Sequence, residues 1–296
     1  MGMTLPNPLQ PDDRTVRWWV WAVLISNIGI VLTGALVRLT GSGLGCPTWP
    51  KCTDESFVPH KELGVNGAIE FGNRLLTYVL IAVAIAAFIA IWRWSSTSPS
   101  LRQHMAAIAL GIPFQGVIGG ITVRTDLNPW VVALHLVLSM MLIAASVWLL
   151  MRVSGTRIGA LRDPVVLLTY GLTWVVVYLG TVVTGSGPHA GDAQAPRNGL
   201  DPQAWSHIHA WAVYALVAAT LLAIWRLRGT PAGRAALALL GVEVAQGVIG
   251  FVQYFNDLPI ALVAAHMIGA AVLVATATHL LLADKQRSPE LVDHDR

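Results

Sequence analysis

Gln115-Gly116-Val117-Ile118-Gly119 returns as Gln246-Gly247-Val248-Ile249-Gly250, 131 residues further along, and each copy is followed after 20 positions by a histidine, His135 and His266. Five identical residues with an equally spaced imidazole mark an internal duplication. A second pair agrees: Thr40-Gly41-Ser42-Gly43 recurs as Thr184-Gly185-Ser186-Gly187. Both duplicated histidines lie in apolar segments. An imidazole carried into hydrocarbon is costly and by default marks a functional site.

The surrounding composition fits that setting. The 296 residues are 55% hydrophobic and only 12% charged, with a mean hydropathy of +0.61, which excludes an ordinary soluble domain. Eight apolar runs have the length that a bilayer demands, roughly 20 residues each. They cover about residues 18–38, 68–94, 104–123, 130–152, 164–183, 204–226, 233–254 and 259–283. The first is too long for the apolar core of a cleavable signal peptide, and Trp18, Trp19 and Trp21 give it an interfacial aromatic belt. Four spans per copy is an even number, so both copies enter the membrane from the same side. The fold expected is all-α and integral to the membrane: eight transmembrane helices in two four-helix bundles, residues 1–158 and 159–296, related by a pseudo-twofold axis along the membrane normal.

Basic residues alternate between loops. Arg14 and Arg17, Arg93 and Arg102, then Arg152, Arg157 and Arg162 fall on one side, joined by Arg226, Arg228, Arg234, Lys285 and Arg287. The loops of the other side hold only Lys51, Lys61, Arg124 and Arg197. The positive-inside rule therefore predicts cytoplasmic termini, with the plasma membrane as the location. The net charge of +3 reflects this bias, and no basic cluster points to nucleic acid. The longer outer loops, about residues 39–67 and 184–203, supply material for caps over sites near that face. The tail after Asp284 is polar and expected to be disordered.

The only cysteines, Cys46 and Cys52, share the first outer loop. With two prolines between them they can close a small disulfide loop in an oxidising compartment, or stand as two thiols that cycle between redox states. Two sulfurs alone make a poor zinc site.

Three histidines share a depth. At a rise of about 1.5 Å per residue, His135 and His266 sit roughly 8–10 Å below the outer boundary, and His209 lies at similar depth in span six. His207, two residues away, points to nearly the opposite face, so one helix cannot offer both rings to one metal. His209 and His266 can supply two axial nitrogens to a haem iron in the second bundle; helix-to-helix hydrogen bonding is the plainer alternative. In the first half, Asn73 stands where the second has His209, with Glu70 on the same helical face. Glu70 reads either as an ion-pair partner of Arg74 or Arg38, or as a proton-transfer group beside a substrate. Glu243, near mid-span seven, is a proton-path residue or the partner of a buried polar neighbour. Gln115 and Gln246 read as bridges between helices. His60 and His189 read as solvated or lid residues, His104 and His279 as interfacial, and His294 as part of the tail. Arg38, Arg74, Arg124 and Arg197 at the rim are possible clamps for haem propionates.

These residues resemble the haem A synthase family across nearly the whole chain. The run Arg38-Leu39-Thr40-Gly41-Ser42-Gly43-Leu44-Gly45-Cys46-Pro47-Thr48-Trp49-Pro50 is the most specific element; Glu70-Phe71-Gly72-Asn73-Arg74, His135, Ser206-His207-Ile208-His209 and His266 add to it. The resemblance implies a membrane enzyme that oxidises a ring methyl of haem O to the formyl group of haem A, for haem-copper terminal oxidases. It implies a haem b on His209 and His266, haem O offered His135, a role in the reaction for Glu70, and a disulfide between Cys46 and Cys52. It also implies an external electron donor, with haem O synthase and oxidase assembly proteins as possible partners. The sequence departs from the family at Asn73, where many members have histidine, and at Ala210, where arginine is frequent. A di-haem electron-transfer cytochrome, which would need two complete histidine pairs, and a transporter of parallel repeats are the alternatives.

Overall fold

The computed structural model describes residues 11–156 and 163–283. The arginines at 157 and 162, the boundary expected at 158, Lys285, Arg287, His294 and the tail lie outside the described residues. Eight long helices carry the described chain: α1 (Asp13–Leu39), α2 (Gly64–Arg93), α3 (Pro99–Arg124), α4 (Pro129–Val153), α5 (Pro164–Ser186), α6 (Pro202–Arg226), α7 (Pro231–Phe255) and α8 (Ile260–Ala283). One 3-10 turn (Lys61–Leu63) leads into α2, and no strand occurs among the described residues. All eight helices are long and apolar enough to cross a membrane. They extend a few residues past the apolar runs, because hydropathy marks the lipid-facing length while capping residues mark the helix ends.

Local chemistry starts these helices. Ser98, Asn128, Asp163, Asp201 and Thr230 each accept a backbone N–H in the first turn and each precede a proline. A polar N-cap satisfies an otherwise orphaned donor, and proline at the first helical position sacrifices none. The duplicated turns before α4 and α8 share an unusual backbone: Asp126 and Leu127 have φ of 51° and 58°, and Asp257 and Leu258 both have φ of 55°. Four such residues, at the 131-residue spacing, repeat the duplication in conformation.

Packing closes two rings. The neighbours around the first are α1–α2, α2–α3, α3–α4 and α4–α1; around the second they are α5–α6, α6–α7, α7–α8 and α8–α5. The rings meet through α4–α8, α1–α8 and α4–α5. In each ring the second and fourth helices are diagonal, with no close backbone approach among the described residues. Val16, Val20, Leu80, Met105 and Met140 lie in a core that extends through Ala271 and Val274 of α8, whereas Val166, Leu216, Leu239 and Leu280 belong to a separate cluster. The diagonal across each ring is where a flat ligand can lie between two opposed side chains.

Candidate functional site: a cavity in the first ring and a histidine pair in the second

A cavity inside the first ring is lined by Glu70, Asn73 and Arg74 of α2, Gln115 of α3 and His135 of α4. Its wall is otherwise mainly apolar, with Leu80, Ile112, Leu136 and Met267 among the contributors. At about 250 Å³ it falls a little below the common range of ligand pockets, roughly 300–1,000 Å³. A tetrapyrrole therefore has to displace side chains at the rim.

Glu70 is only 5% exposed and holds the cysteine loop to α2. Its Oε2 accepts the Cys46 N–H at 2.6 Å, and Oε1 accepts Arg74 Nε at 3.1 Å. Arg74 in turn donates to the carbonyls of Cys46, at 2.9 Å, and Lys51, at 3.0 Å. Of the two ion-pair partners read from sequence, Arg74 is the one engaged. Arg38 instead donates to the carbonyls of His189 and of Thr184, the latter at 2.9 Å, tying the first ring to the 187–201 loop of the second half. Gly43 N donates to Gly191 O at 2.8 Å in the same seam. His189 is thus part of a lid. Burial, then the charges of Arg38 and Arg197, hold its imidazole below the usual histidine range.

Cys46 and Cys52 form a disulfide, which decides between the two readings left open above. The closed loop carries Trp49 over the cavity. A side chain at Gly120 would collide with the Trp49 ring, and Arg124 fixes the same residue by donating to its carbonyl at 2.9 Å. Trp49 as a roof had no signal in the helical periodicity; only its place between two prolines inside the cysteine loop set it apart.

The second ring places His209 on α6 and His266 on α8, one diagonal. His207 is exposed on α6, with its ring 6.5 Å from that of Tyr254, so it belongs to the rim. Buried Nδ1 atoms of His135, His209 and His266 have no hydrogen-bond partner. Each ring is seated against a glycine: a methyl at Gly119, Gly180 or Gly250 would come within 3.5, 3.4 or 3.6 Å of His135, His209 or His266. Buried imidazoles with an unpartnered Nδ1, each seated on glycine and carried by diagonal helices, suit axial ligation of haem iron, and this donor set fits a haem in the second ring. No group of three or more His, Cys, Asp or Glu side chains fit for a bare metal ion occurs among the described residues.

Two further polar residues resolve. Gln115 Nε2 bridges α3 to α4, donating to His135 O at 3.1 Å and Ser139 Oγ at 2.8 Å. Glu243 is buried and accepts Thr220 Oγ1 at 2.7 Å, while its other oxygen is unpartnered.

The family model described as cytochrome oxidase assembly protein matches residues 17–278. The chain belongs to that family. Proteins similar to this chain include one named Heme A synthase from Bradyrhizobium diazoefficiens, 27% identical over 93% of this chain and 92% of its own length. Another protein so named, from Shewanella oneidensis, is 28% identical over 88% of this chain and 94% of its own length. Membership covers both rings and every candidate residue above.

Proposed function

We propose that this chain is a haem A synthase, a multi-pass membrane oxidoreductase that converts a ring methyl of haem O to the formyl group of haem A for haem-copper oxidases. The observation that carries the reading is the first-ring cavity, which gathers His135, Asn73 and Glu70 on a largely apolar chamber in a chain whose family spans 17–278. Residues 1–158 form the substrate half and 159–296 the electron-transfer half.

Haem O enters with its farnesyl tail in lipid or between the rings, and His135 takes its iron. The apolar wall keeps bulk water from the reacting methyl. With one water as the oxygen source, methyl to formyl releases four protons and four electrons (R–CH3 + H2O → R–CHO + 4 H+ + 4 e−), the electrons leaving to an external acceptor. Among the described residues Glu70 is the only carboxyl on the cavity wall; it receives protons released there, while Arg74 offsets its charge once the proton has moved on. The Cys46–Cys52 loop closes the chamber through Trp49. His209 and His266 would hold a haem b, whose contribution is one-electron transfer between the chamber and an external donor or acceptor. The reading places the chain in the plasma membrane, with the cysteine loop on the outer face and both termini cytoplasmic. Haem O synthase supplies the substrate, and oxidase assembly factors receive the product.

Expression with a haem O supply, followed by chromatography of extracted haems, tests this. The parent is expected to yield haem A and Glu70→Ala to yield almost none. A parent that leaves haem O unchanged would overturn the function.

A further inference from the structure

The two rings differ at one end of one diagonal. In the second, α6 presents His209 opposite His266 of α8. In the first, α2 presents Asn73 opposite His135 of α4, and both line the same cavity. An amide nitrogen shares its lone pair with the carbonyl and is a poor ligand for iron. It is a good hydrogen-bond donor.

Its orientation is set from behind. Thr33 Oγ1 of α1 donates to Asn73 Oδ1 at 2.8 Å, closer than the 3.2 Å contact of the same hydroxyl with Ile30 O. With Oδ1 engaged, the Nδ2 group is left, and no described residue accepts from it. In the second ring the helix corresponding to α1 presents Gly180 to His209, which leaves that imidazole room and no hydroxyl to turn it. Asn73 is therefore oriented, not merely substituted.

We infer that Asn73 is a fixed hydrogen-bond donor on the open side of the substrate iron, where it holds a small exogenous ligand (water or an anion of similar size) opposite His135. This rests on the haem O reading of the first ring. The first site is then five-coordinate with respect to protein, and Thr33 is the positioning residue for the donor.

Fluoride is the probe, because it binds ferric iron only where a coordination position is open and it responds strongly to a neighbouring donor. Full-length protein loaded with ferric iron protoporphyrin IX is titrated with fluoride and followed optically. An iron held by two histidines does not take fluoride, so the titration reports the first ring alone. The parent is expected to show one fluoride-sensitive, high-spin haem per chain, lost in His135→Ala. A hydrogen bond to a charged acceptor contributes about 1.5–3 kcal/mol, so Asn73→Leu should weaken fluoride at least tenfold. Thr33→Val should weaken it less, and Asn73→His should turn the site low-spin and abolish fluoride binding. The unchanged low-spin spectrum of the second ring certifies folding in each variant. Equal fluoride affinity in the parent and Asn73→Leu, with dependence on His135 intact, would overturn the role of Asn73 alone. A parent with no fluoride-sensitive haem, or one indifferent to His135→Ala, would overturn the haem site of the first ring and this inference with it.

Discussion

The two rings start from one repeated sequence and end with opposite provisions along the same diagonal. The second keeps an imidazole at each end, both seated on glycine and both lacking a hydrogen-bond partner at Nδ1. The first keeps one imidazole, sets on the same cavity an amide whose oxygen is held by Thr33, and adds a carboxyl locked to an arginine and to a disulfide loop. A saturated iron exchanges electrons without taking on a ligand, whereas an iron open on one side can admit one. On the proposed reading, two copies that differ in one ligand separate an electron-transfer site from a reaction site. The loops reinforce this division. Trp49 and the 187–201 loop both close over the first ring, although the second loop belongs to the second half.

The sharpest break in this comparison comes from the histidines. His266→Ala or His209→Ala is expected to abolish the bound low-spin haem altogether, measured by the pyridine haemochrome spectrum of purified protein. His135→Ala should leave that haem in place while haem A production stops. An intact low-spin spectrum in either second-ring variant would refute the ligand pair.

Glu70 comes next. Removing one member of a buried ion pair strands the other, which costs about 3–5 kcal/mol. Glu70→Ala should therefore lower thermal stability as well as haem A output, the latter by more than tenfold. Glu70→Gln keeps an acceptor for the Cys46 N–H and for Arg74 but has no titrating carboxyl, and it should regain much of that stability without regaining product. If product returns with stability, Glu70 is a loop anchor and handles no proton.

The glycines under the histidines test whether the rings are still equivalent in packing. Gly250→Leu should reduce second-ring haem occupancy several-fold by crowding His266, and Gly119→Leu should reduce haem A output by a similar factor with second-ring haem unchanged. Effects in the reverse assignment would dissolve the division of labour.

Much of the architecture is legible in the sequence. The eight spans follow from runs of apolar residues near bilayer length, and the repeat follows from the two QGVIG segments. That His135, His209 and His266 lie between one and two turns into α4, α6 and α8 follows from their places in the apolar runs. What the sequence left open were contacts that join distant segments. Nothing in the neighbourhood of Glu70 says whether Arg74 or Arg38 will meet it; that choice depends on the Cys46 loop, which offers Arg74 two carbonyls, and on the 187–201 loop, which takes Arg38 away. The partnership of Thr33 with Asn73 spans 40 residues and two helices, and a threonine on an apolar helix gives no warning of it. Trp49 likewise needs Gly120 for its place.

The smallest expected effect compares how the two halves begin. Asp12 caps α1 by accepting Thr15 N at 2.7 Å. Asp163 caps α5 by accepting Val165 N at 2.9 Å and also receives Arg226 Nε at 2.6 Å. Burial alone would raise the Asp163 carboxyl, but the Arg226 bond, the Val165 N–H and the Arg226 charge outweigh it and hold the group below the usual carboxylate range. A depressed folded value means that the stabilisation is present above the unfolded pKa and is lost as pH falls through the folded one. Losing an aspartate N-cap costs about 1 kcal/mol, and the half-exposed Arg226 adds little because solvent screens it. Asp163→Ala should therefore lower the unfolding temperature in detergent by a few degrees at neutral pH and by less in acid, while Asp12→Ala, a cap without an ion pair, should have the smaller effect at both. Equal shifts for the two variants would mean that Arg226 contributes nothing and that the halves differ in their sites but not in how their first helices are held.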